Sequence, residues 1–358
     1  MSIKDYVQDN SCWMSDEGPH SDIVISTRIR LARNLVDHPF PMLASDQEAE
    51  EIVQKVGAAL AAEPFGKQEG DRFELIELDT ITQLDLQTLE EKYLISSTLV
   101  EQADKGAVAI RADELVSIMI NEEDHLRLQV LMPGLQLSEA WEMATRIDDQ
   151  LEASLNYAFD ERFGYLTACP TNVGTGIRAS VMLHLPALVA TGQINRVLSA
   201  LGQVGLVVRG VHGEGTEAIG NLFQLSNQIT LGQSEEEVIY SLETVAQKMI
   251  EHETQARQYL LQESREDIED RIARSFGILA YARRLSAKET MQRLSDIRLG
   301  IDLGVIKGIS KNILKELMVT TQPAFLQKKS GVALAPGEQD WRRAELVRER
   351  LRSGAGHI

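Results

Sequence analysis

Cys169-Pro170-Thr171-Asn172-Val173-Gly174-Thr175-Gly176-Ile177-Arg178-Ala179-Ser180 combines a thiol, a turn-forming asparagine, two glycines and an arginine in one short stretch. This composition is typical of a binding site, because glycines let the backbone approach an anion closely. The apolar run from Ala179 to Leu185 predicts a helix that begins near Arg178 and presents its positive end to the same place. The favoured anion is phosphate. Since the sequence contains no G-x-x-x-x-G-K-[ST] stretch, arginine side chains have to supply the positive charge.

The composition is that of a globular protein with room for two domains: 358 residues, 43% of them hydrophobic and 25% charged. The N-terminus is polar and no run of about eighteen apolar residues occurs, so we expect a soluble, cytoplasmic protein. Cys12 and Cys169 form neither a disulfide framework nor a zinc spacing, which fits a reducing compartment. The net charge of -18 disfavours direct binding to nucleic acid.

The pattern of apolar residues changes along the chain. Short strands and helices alternate from Asp22 to Gly232, whereas helical spacing prevails from Ser234 onward. We therefore expect an N-terminal lead segment (1–21), a first domain (22–232) and a C-terminal helical domain (233–358). The apolar stripes that predict this helical domain are Val238, Ile239, Leu242, Val245, Met249 and Ile250, then Ile268, Ile272, Phe276 and Leu279, then Leu294, Ile297 and Leu299. The alternation of Arg and Glu from Asp340 to Arg352 predicts an exposed helix.

A strand with two arginines on one face is predicted at Asp22–Leu31. Its period of two places Ser26, Arg28 and Arg30 on one face and isoleucines with Leu31 on the other. Two arginines side by side indicate an anion site. The alternative is an edge strand whose charges discourage aggregation.

A second group of chemically useful residues lies in Asn121–Arg127, between two strand-like runs. The consecutive carboxylates Glu122, Glu123 and Asp124 stand there beside Arg127. Crowded carboxylates raise one another's pKa and can supply a general base. The alternative is a solvated acidic loop.

A third group lies in Leu206–Glu217, where an apolar strand runs into a loop with three glycines and the carboxylates Glu214 and Glu217. Such a loop can close over a ligand, although a solvent-facing glycine-rich hairpin has the same composition. His212 has no second histidine at metal-ligand spacing, so we expect no metal site built from protein ligands.

Five arginines at strand or helix ends can together replace a P-loop and its lysine around a nucleoside triphosphate: Arg28, Arg30, Arg127, Arg178 and Arg209.

The segments STRIR (26–30), NEEDHLR (121–127), CPTNVGTGIRAS (169–180) and RGVHGEGTE (209–217), in this order, resemble the phosphagen (guanidino) kinase family. The resemblance implies an α+β fold with an antiparallel β-sheet flanked by helices, here followed by a C-terminal α-helical domain. It implies that arginines clamp ATP and Mg²⁺ while two carboxylates orient the substrate guanidinium and accept its proton. Carried over, the carboxylates are Glu123 and either Glu214 or Glu217, and Cys169 lies beside the guanidinium.

The implied ATP-binding residues follow the same segments, with Tyr93 added at a position where related chains often have a histidine that lies against adenine. They are Ser26, Thr27, Arg28, Ile29, Arg30, Tyr93, Arg127, Arg178, Ala179, Ser180, Val181, Met182, Arg209, Gly210, Val211, His212, Gly213 and Glu214.

The layout of the whole chain resembles one branch of this family. Members that act on free arginine or creatine carry a helical domain ahead of the STRIR strand, and here only a short segment precedes it. A helical C-terminal domain is instead typical of bacterial kinases that phosphorylate arginine side chains in proteins and so mark them for a Clp protease in stress response and quality control. An open site suits a bulky protein substrate. The alternatives are a kinase of free arginine or another small guanidino compound, and a non-catalytic phosphoarginine-binding adaptor.

The resemblance also implies an allosteric phosphoarginine site near the C-terminus. The motif of those kinases reads R-D-x-x-R-A, and Gln339 replaces its first arginine here. Asp340 would then pair with the guanidinium and Arg343 or Arg342 with the phosphate, next to Ala344.

The further implied partners are an activator protein, a Clp ATPase or protease, and a second copy of the chain in a homodimer or higher oligomer.

Overall fold

The structure, a computed structural model, describes residues 6, 11–15, 17–62, 72–201, 206–210 and 218–353. The strands are β1 (Val24–Arg33), β2 (Phe73–Glu77), β3 (Ala107–Arg111), β4 (Val116–Ile120), β5 (Leu126–Pro133), the small hairpin β6 (Phe159–Asp160) and β7 (Gly164–Tyr165), β8 (Ile177–His184), β9 (Leu206–Gly210) and β10 (Leu222–Asn227). Eight of them form one sheet in the order β2-β3-β4-β5-β1-β8-β10-β9, in which every neighbouring pair is antiparallel. The predicted α+β fold with an antiparallel sheet is confirmed.

Helices flank the sheet and make up the C-terminal part of the chain. They are α1 (Asp46–Ala61), α2 (Gln83–Glu91), α3 (Ser97–Glu101), α4 (Leu137–Glu152), α5 (Pro186–Ala190), α6 (Ile194–Leu201), α7 (Glu235–Glu263), α8 (Arg265–Tyr281), α9 (Ala287–Asp302), α10 (Ile313–Thr320), α11 (Pro323–Ser330) and α12 (Pro336–Ser353). Within the described ranges, none of them is both long and apolar enough to cross a membrane.

The two faces of the sheet differ in character, and the register of the strands explains why. Arg28 of β1 lies opposite Leu131 of β5 and Ser180 of β8, and Arg30 lies opposite Gln129 and Arg178. Directly opposed residues point to the same side of a sheet, so these side chains share one face, which we call the site face. The alternation predicted for β1 is confirmed.

The opposite face is apolar and covered by helices. Helix α4 packs on β1 and β5, and α7 packs on β8 and β10. Arg33 has the parity of this covered face and is 2% exposed; its guanidinium donates to the carboxylate of Asp148 on α4 at 2.7 and 2.9 Å. It also donates to the carbonyls of Ala32 and Thr175, both at 3.0 Å. One buried arginine therefore joins β1, α4 and the segment before β8.

The helix predicted to begin near Arg178 is wrong, because Ile177–His184 is strand β8. This strand pairs with β1 on one side and β10 on the other, and its sequence alternates Ile177, Ala179, Val181 and Leu183 with Arg178, Ser180, Met182 and His184. The apolar Met182 between Val181 and Leu183 makes this period-two pattern look like a continuous apolar run. Helix α5 begins only at Pro186. Arg178 thus reaches the site face as a strand side chain, without a helix N-terminus beside it.

The expected change to helices after Ser234 is confirmed. Ser234 caps α7 in a reciprocal arrangement in which its hydroxyl accepts from the Glu237 N–H and the Glu237 carboxylate accepts from the Ser234 N–H. The predicted stripes are buried apart from Phe276, which is partly buried. The helix predicted from Asp340 to Arg352 is confirmed as part of α12, which exposes Arg342, Glu349 and Arg350 but buries one face that includes Ala344, Val347 and Leu351.

The C-terminal helices also contact the edge of the sheet domain through Glu91, the last residue of α2. Its carboxylate accepts the backbone N–H groups of Ala324 and Phe325 at 2.8 and 3.0 Å, and so caps the N-terminus of α11. Lys328 of α11 forms an ion pair with Asp85 of α2 in return. Two charged side chains of α2 thus hold one C-terminal helix.

We expect replacement of Asp148 by alanine to lower the free energy of unfolding by about 3–5 kcal/mol, because it removes the carboxylate that the buried Arg33 guanidinium contacts at 2.7 Å and leaves it the more distant Glu235, at 3.7 Å. Urea unfolding monitored by circular dichroism measures the change. Asp149→Ala, at the exposed neighbouring position on α4, is the matched control and should change stability little. Equal effects of the two substitutions would contradict this role of the pair.

Candidate active site

Positive charge is concentrated on the site face. Besides Arg28, Arg30 and Arg178, this face carries Arg127, opposite Ala32 at the start of β5, and Arg209, opposite Gln224 on the edge strand β9. Neighbouring strands thus bring together all five arginines that the sequence singles out.

The electrostatics of these arginines indicate that they face an anion. Burial and the charge of Arg127 lower the pKa of Arg28 to about 10. Burial, followed by the charges of Arg28 and Arg127, also lowers the pKa of Arg30, and its buried Nε has no hydrogen-bond partner among the described residues. Like charges that are removed from water repel one another strongly, which raises the free energy of the folded protein. A polyanion lying on this face would relieve the repulsion.

The three carboxylates at the β4–β5 turn have different surroundings. Glu122 is 1% exposed, accepts from Arg127 Nη1 at 2.5 and 2.6 Å, and also accepts from the Ser96 hydroxyl. Burial by itself raises the pKa of Glu122, but the positive charge of Arg127 and these hydrogen bonds outweigh burial and lower this pKa. Glu123 is the exposed member of the three. Glu122 therefore positions Arg127, whereas Glu123 remains available to a ligand.

Asp124 joins this turn to the segment that carries Cys169. Its Oδ1 accepts from the Asn34 amide and from the Ala168 N–H, both at 2.6 Å. The Asn34 side-chain oxygen accepts the His125 N–H at 2.9 Å. Burial raises the pKa of the Asp124 carboxyl above its usual value. These contacts fix Glu123 and Cys169, the residues next to Asp124 and Ala168, relative to each other.

His125 is held as a neutral ring. Its Nδ1 accepts the Leu35 N–H at 3.0 Å, so Nε2 carries the proton and donates to the Pro39 carbonyl at 2.8 Å. Burial lowers the pKa of His125 to about 4. No role was predicted for His125 from the sequence, and in the structure it supports the turn.

Cys169 lies beside the arginine group. Its Sγ is 3.0 Å from the Thr171 hydroxyl, and the Arg178 guanidinium donates to the Asn172 side-chain oxygen at 3.1 Å and to the Asn227 carbonyl at 2.9 Å. Burial, then the charge of Arg127, lowers the pKa of Arg178, while Cys169 and Glu123 act in the opposite direction. The thiol, the exposed carboxylate and the arginine therefore share one electrostatic environment.

A narrow pocket opens on the site face next to Arg28. Its lining residues are Trp13, Ser26, Arg28, Tyr93, Leu131, Ser180, Met182 and Gln224. Three of these residues were not predicted from the sequence: Trp13, Leu131 and Gln224. The alternation Arg127, Gln129, Leu131 was the available signal for Leu131, and the register opposite Met182 places Gln224. No local pattern predicted Trp13.

Other predicted site residues lie elsewhere or outside the described residues. Thr27, Ile29, Ala179 and Val181 alternate with the site-face residues and are fully buried on the opposite face, so only their backbone adjoins the site. Arg209 is exposed at the end of β9, next to Gly210. The residues outside the described part are Val211, His212, Gly213, Glu214 and Glu217.

The predicted phosphoarginine residues lie on α12, where Arg343 is engaged by its own chain. Its side chain is 3% exposed and donates to the carbonyls of Thr321 and Leu285 at 2.9 Å and to the Asp340 carboxylate at 2.6 Å. Ala344 is fully buried. Arg342 is exposed over the ring of Trp341 and pairs with Glu345. Of the two candidate phosphate ligands, Arg342 is the accessible one.

Comparison with known proteins shows the family of the chain. Residues 51–256 match the family described as "ATP:guanido phosphotransferase, C-terminal catalytic domain", and residues 265–357 match "Protein-arginine kinase McsB C-terminal domain". The chain belongs to the ATP:guanido phosphotransferase family.

Within the family, the chain is similar over its length to proteins named protein-arginine kinase. It is 60% identical over 353 residues to the one from Brevibacillus brevis, covering 98% of both chains. It is 56% identical to that of Geobacillus stearothermophilus, covering 96% of this chain and 94% of the relative, and 53% identical to that of Bacillus subtilis, covering 98% and 96%.

Solved structures show the same fold. A lombricine kinase is 26% identical, with a TM-score of 0.57, and the match covers 67% of this chain and 68% of that one. A substrate-free duplicated taurocyamine kinase from Schistosoma mansoni has a TM-score of 0.58 at 22% identity, covering 76% and 42%. The recognition of the family from its four segments is confirmed.

We expect acid to destabilise the protein through His125. The unfolded chain takes up a proton near the ordinary pKa of about 6.5, whereas the folded ring resists protonation until about pH 4. The free energy of unfolding therefore falls as pH drops through this window, by up to about 3 kcal/mol from this one group. Urea unfolding at several pH values measures the slope.

His125→Asn keeps an acceptor for the Leu35 N–H but does not titrate, so its pH slope should be shallower than that of the wild type. His252→Asn changes an exposed histidine on α7 and is the matched control. If the free energy of unfolding of His125→Asn fell with pH as steeply as that of the wild type, His125 would not be the group responsible for the acid destabilisation.

Proposed function

We propose that this chain transfers the γ-phosphoryl group of ATP to the guanidinium of arginine side chains in proteins. The observation that carries the proposal is the set of five arginines on one face of the sheet, with the exposed Glu123 and with Cys169 at its edge. The family match and the names of the full-length relatives support it. Arginine forks bind phosphate oxygens in pairs and keep their charge, so they suit a triphosphate.

The chemistry assigns complementary roles to the acidic and basic groups. A guanidinium is a poor nucleophile with a pKa above about 12, so a carboxylate has to orient one nitrogen and accept its proton. We assign this role to Glu123, together with Glu214 or Glu217. The arginines stabilise the charge of the transferring phosphoryl group, so that catalysis is mainly positioning and electrostatics.

Mg²⁺ is proposed to enter with ATP. The described residues contain no cluster of three or more His, Cys, Asp or Glu side chains that could hold a metal ion. Mg²⁺ is commonly bound through substrate phosphates and water with few protein ligands, so the arginine-rich face suits a metal that ATP itself carries. When bound, it would neutralise charge on the phosphate oxygens.

Several wider roles are proposed on the resemblance. They are a cytoplasmic location, an activator protein, marking of substrates for a Clp protease in stress response and quality control, and assembly into a homodimer or higher oligomer. Allosteric phosphoarginine binding at Asp340, Arg343 and Ala344 is a further proposal, to which the accessible Arg342 adds a phosphate ligand. The division into domains at 232/233 also stays a proposal.

Labelled ATP with Mg²⁺ tests the reaction when an unfolded arginine-rich protein and free arginine are offered separately. We expect label on the protein that is lost in acid, because a P–N bond is acid-labile. Label on free arginine alone would overturn the proposal in favour of a small-molecule guanidino kinase. Bound ATP with no label on either acceptor would favour a phosphoarginine-binding adaptor.

Replacing Glu123 by glutamine should lower kcat for protein phosphorylation by at least about a hundredfold, because the amide cannot accept the guanidinium proton. ATP affinity should change little. Glu142→Gln, at an exposed position on α4, is the matched control. Unchanged turnover in Glu123→Gln would remove this residue from the mechanism.

A further inference from the structure

We propose that an apolar rim next to Glu123 and Cys169 binds the residues that flank the target arginine, so that the chain prefers arginines with apolar neighbours in an extended polypeptide. The rim consists of residues 36–43, 159–163 and 229–231. The inference rests on the proposed function, since it takes an arginine of a polypeptide as the substrate. It adds a binding surface for the part of the substrate that lies beyond the guanidinium.

Exposed apolar side chains are concentrated in the rim. Of the eight large apolar side chains that are exposed in the described part of residues 22–232, seven belong to the rim, and the eighth is Leu75. The seven are between 45% and 79% exposed. Single exposed apolar residues are normal on any protein surface, whereas a concentration of them indicates an interaction site.

The first segment of the rim is attached to the turn that carries Glu123. The ring of His125 accepts the Leu35 N–H at 3.0 Å and donates to the Pro39 carbonyl at 2.8 Å. Both ends of the stretch from 35 to 39 are therefore fixed to this turn. The exposed apolar side chains of the segment are Val36, Met42 and Leu43.

The second segment lies in the β6–β7 hairpin and is joined to the first by backbone hydrogen bonds. The Val36 N–H donates to the Asn156 carbonyl at 3.0 Å, and the Ala158 N–H donates to the Asn34 carbonyl at 2.7 Å. The hairpin therefore continues the first segment. Its exposed apolar side chains are Phe159 and Phe163.

The third segment lies next to the stretch that carries Cys169. The Thr230 hydroxyl contacts the carbonyls of Thr171 and Val173 at 3.0 and 2.7 Å, and the Thr171 hydroxyl is 3.0 Å from the Cys169 Sγ. The rim is thus attached to both Glu123 and Cys169. The exposed apolar side chains of this segment flank Thr230 and are Ile229 and Leu231.

The geometry of the substrate identifies the occupant of the rim. An arginine whose guanidinium reaches Glu123 belongs to a continuous chain that advances about 3.3 Å per residue when it is extended. Its neighbours within a few positions therefore lie over the rim. The carboxylates of the rim, Asp37, Asp160 and Glu161, outnumber its one arginine, Arg162, so its charge favours a cationic chain over an acidic one.

The apolar character of the rim defines the class of segment that it fits. Large apolar residues are mostly buried in a folded protein, so the neighbours of an arginine on a folded surface are mainly polar. An extended segment exposes its apolar side chains and can bury them against the rim, which strengthens binding. The rim therefore favours arginines in segments that a folded protein buries.

The test compares two peptides of equal length that contain one arginine each, flanked on both sides by leucines in one and by serines in the other. Acid-labile label from ATP is followed with the full chain. We expect the wild type to prefer the leucine-flanked peptide about tenfold or more in kcat/KM, through a lower KM.

A variant with Val36→Ser, Phe159→Ser and Ile229→Ser removes one exposed apolar side chain from each segment of the rim. It should lose most of this preference through a higher KM for the leucine-flanked peptide. The control variant carries Tyr240→Ser and Val332→Ser, which remove exposed apolar side chains outside the rim, and it should keep the preference.

A second measurement needs no substitution in the chain. The leucine-flanked peptide is made with a photoreactive benzoylphenylalanine two positions from its arginine and is irradiated with the wild-type chain, and the cross-linked residues are identified by mass spectrometry. We expect them in residues 36–43, 159–163 or 229–231. Cross-links confined to the C-terminal helices would overturn the proposal.

The remaining outcomes separate the rim from the kinase reaction. Equal kcat/KM for the two peptides in the wild type, or a full preference in the triple variant, would overturn the role of the rim and leave the proposed function intact. A full preference together with a lower molar mass of the triple variant in light scattering would make the rim an interface between copies of the chain instead. Absence of label on both peptides would overturn the proposed function, and the role of the rim with it.

Discussion

The pairing of β1 with β5 and β8 is the constraint on which the site depends. It sets Arg28, Arg30 and Arg178 side by side on one face, where burial and mutual repulsion disfavour their charged forms. Such an arrangement persists only if other contacts fix the strands. The apolar opposite face under α4 and α7, and the buried Arg33–Asp148 pair, stabilise the sheet that holds these charges together.

The site uses its carboxylates in two ways, although they are adjacent in sequence. Glu122 and Asp124 are buried and engaged by the protein, one with Arg127 and the other with Asn34 and Ala168. Only Glu123 is exposed. Because the backbone turns between two strands here, three like-charged neighbours have three different environments, and chemistry at the site depends on that separation.

The sequence was informative where a pattern is local. The alternation in β1 predicted which arginines share a face, and the four segments identified the family. The helix prediction failed for β8, because the apolar Met182 interrupts the alternation of Ile177, Ala179, Val181 and Leu183 with polar residues and so produces a short apolar run. Trp13, Leu131 and Gln224 meet in one pocket only through contacts distant in sequence. The bonds of Arg343 to the carbonyls of Thr321 and Leu285 depend on helix packing, which a short motif does not report.

The bridge from Asn34 through Asp124 to Ala168 has a consequence for the evolution and engineering of substrate choice. It ties the turn that carries Glu123 to the segment that carries Cys169, so the positions of these two residues are coupled. Substitutions that alter which proteins are accepted are therefore tolerated best outside this bridge. A change of the buried Asn34 would disturb both groups at once and would impair activity as a change at the active site does.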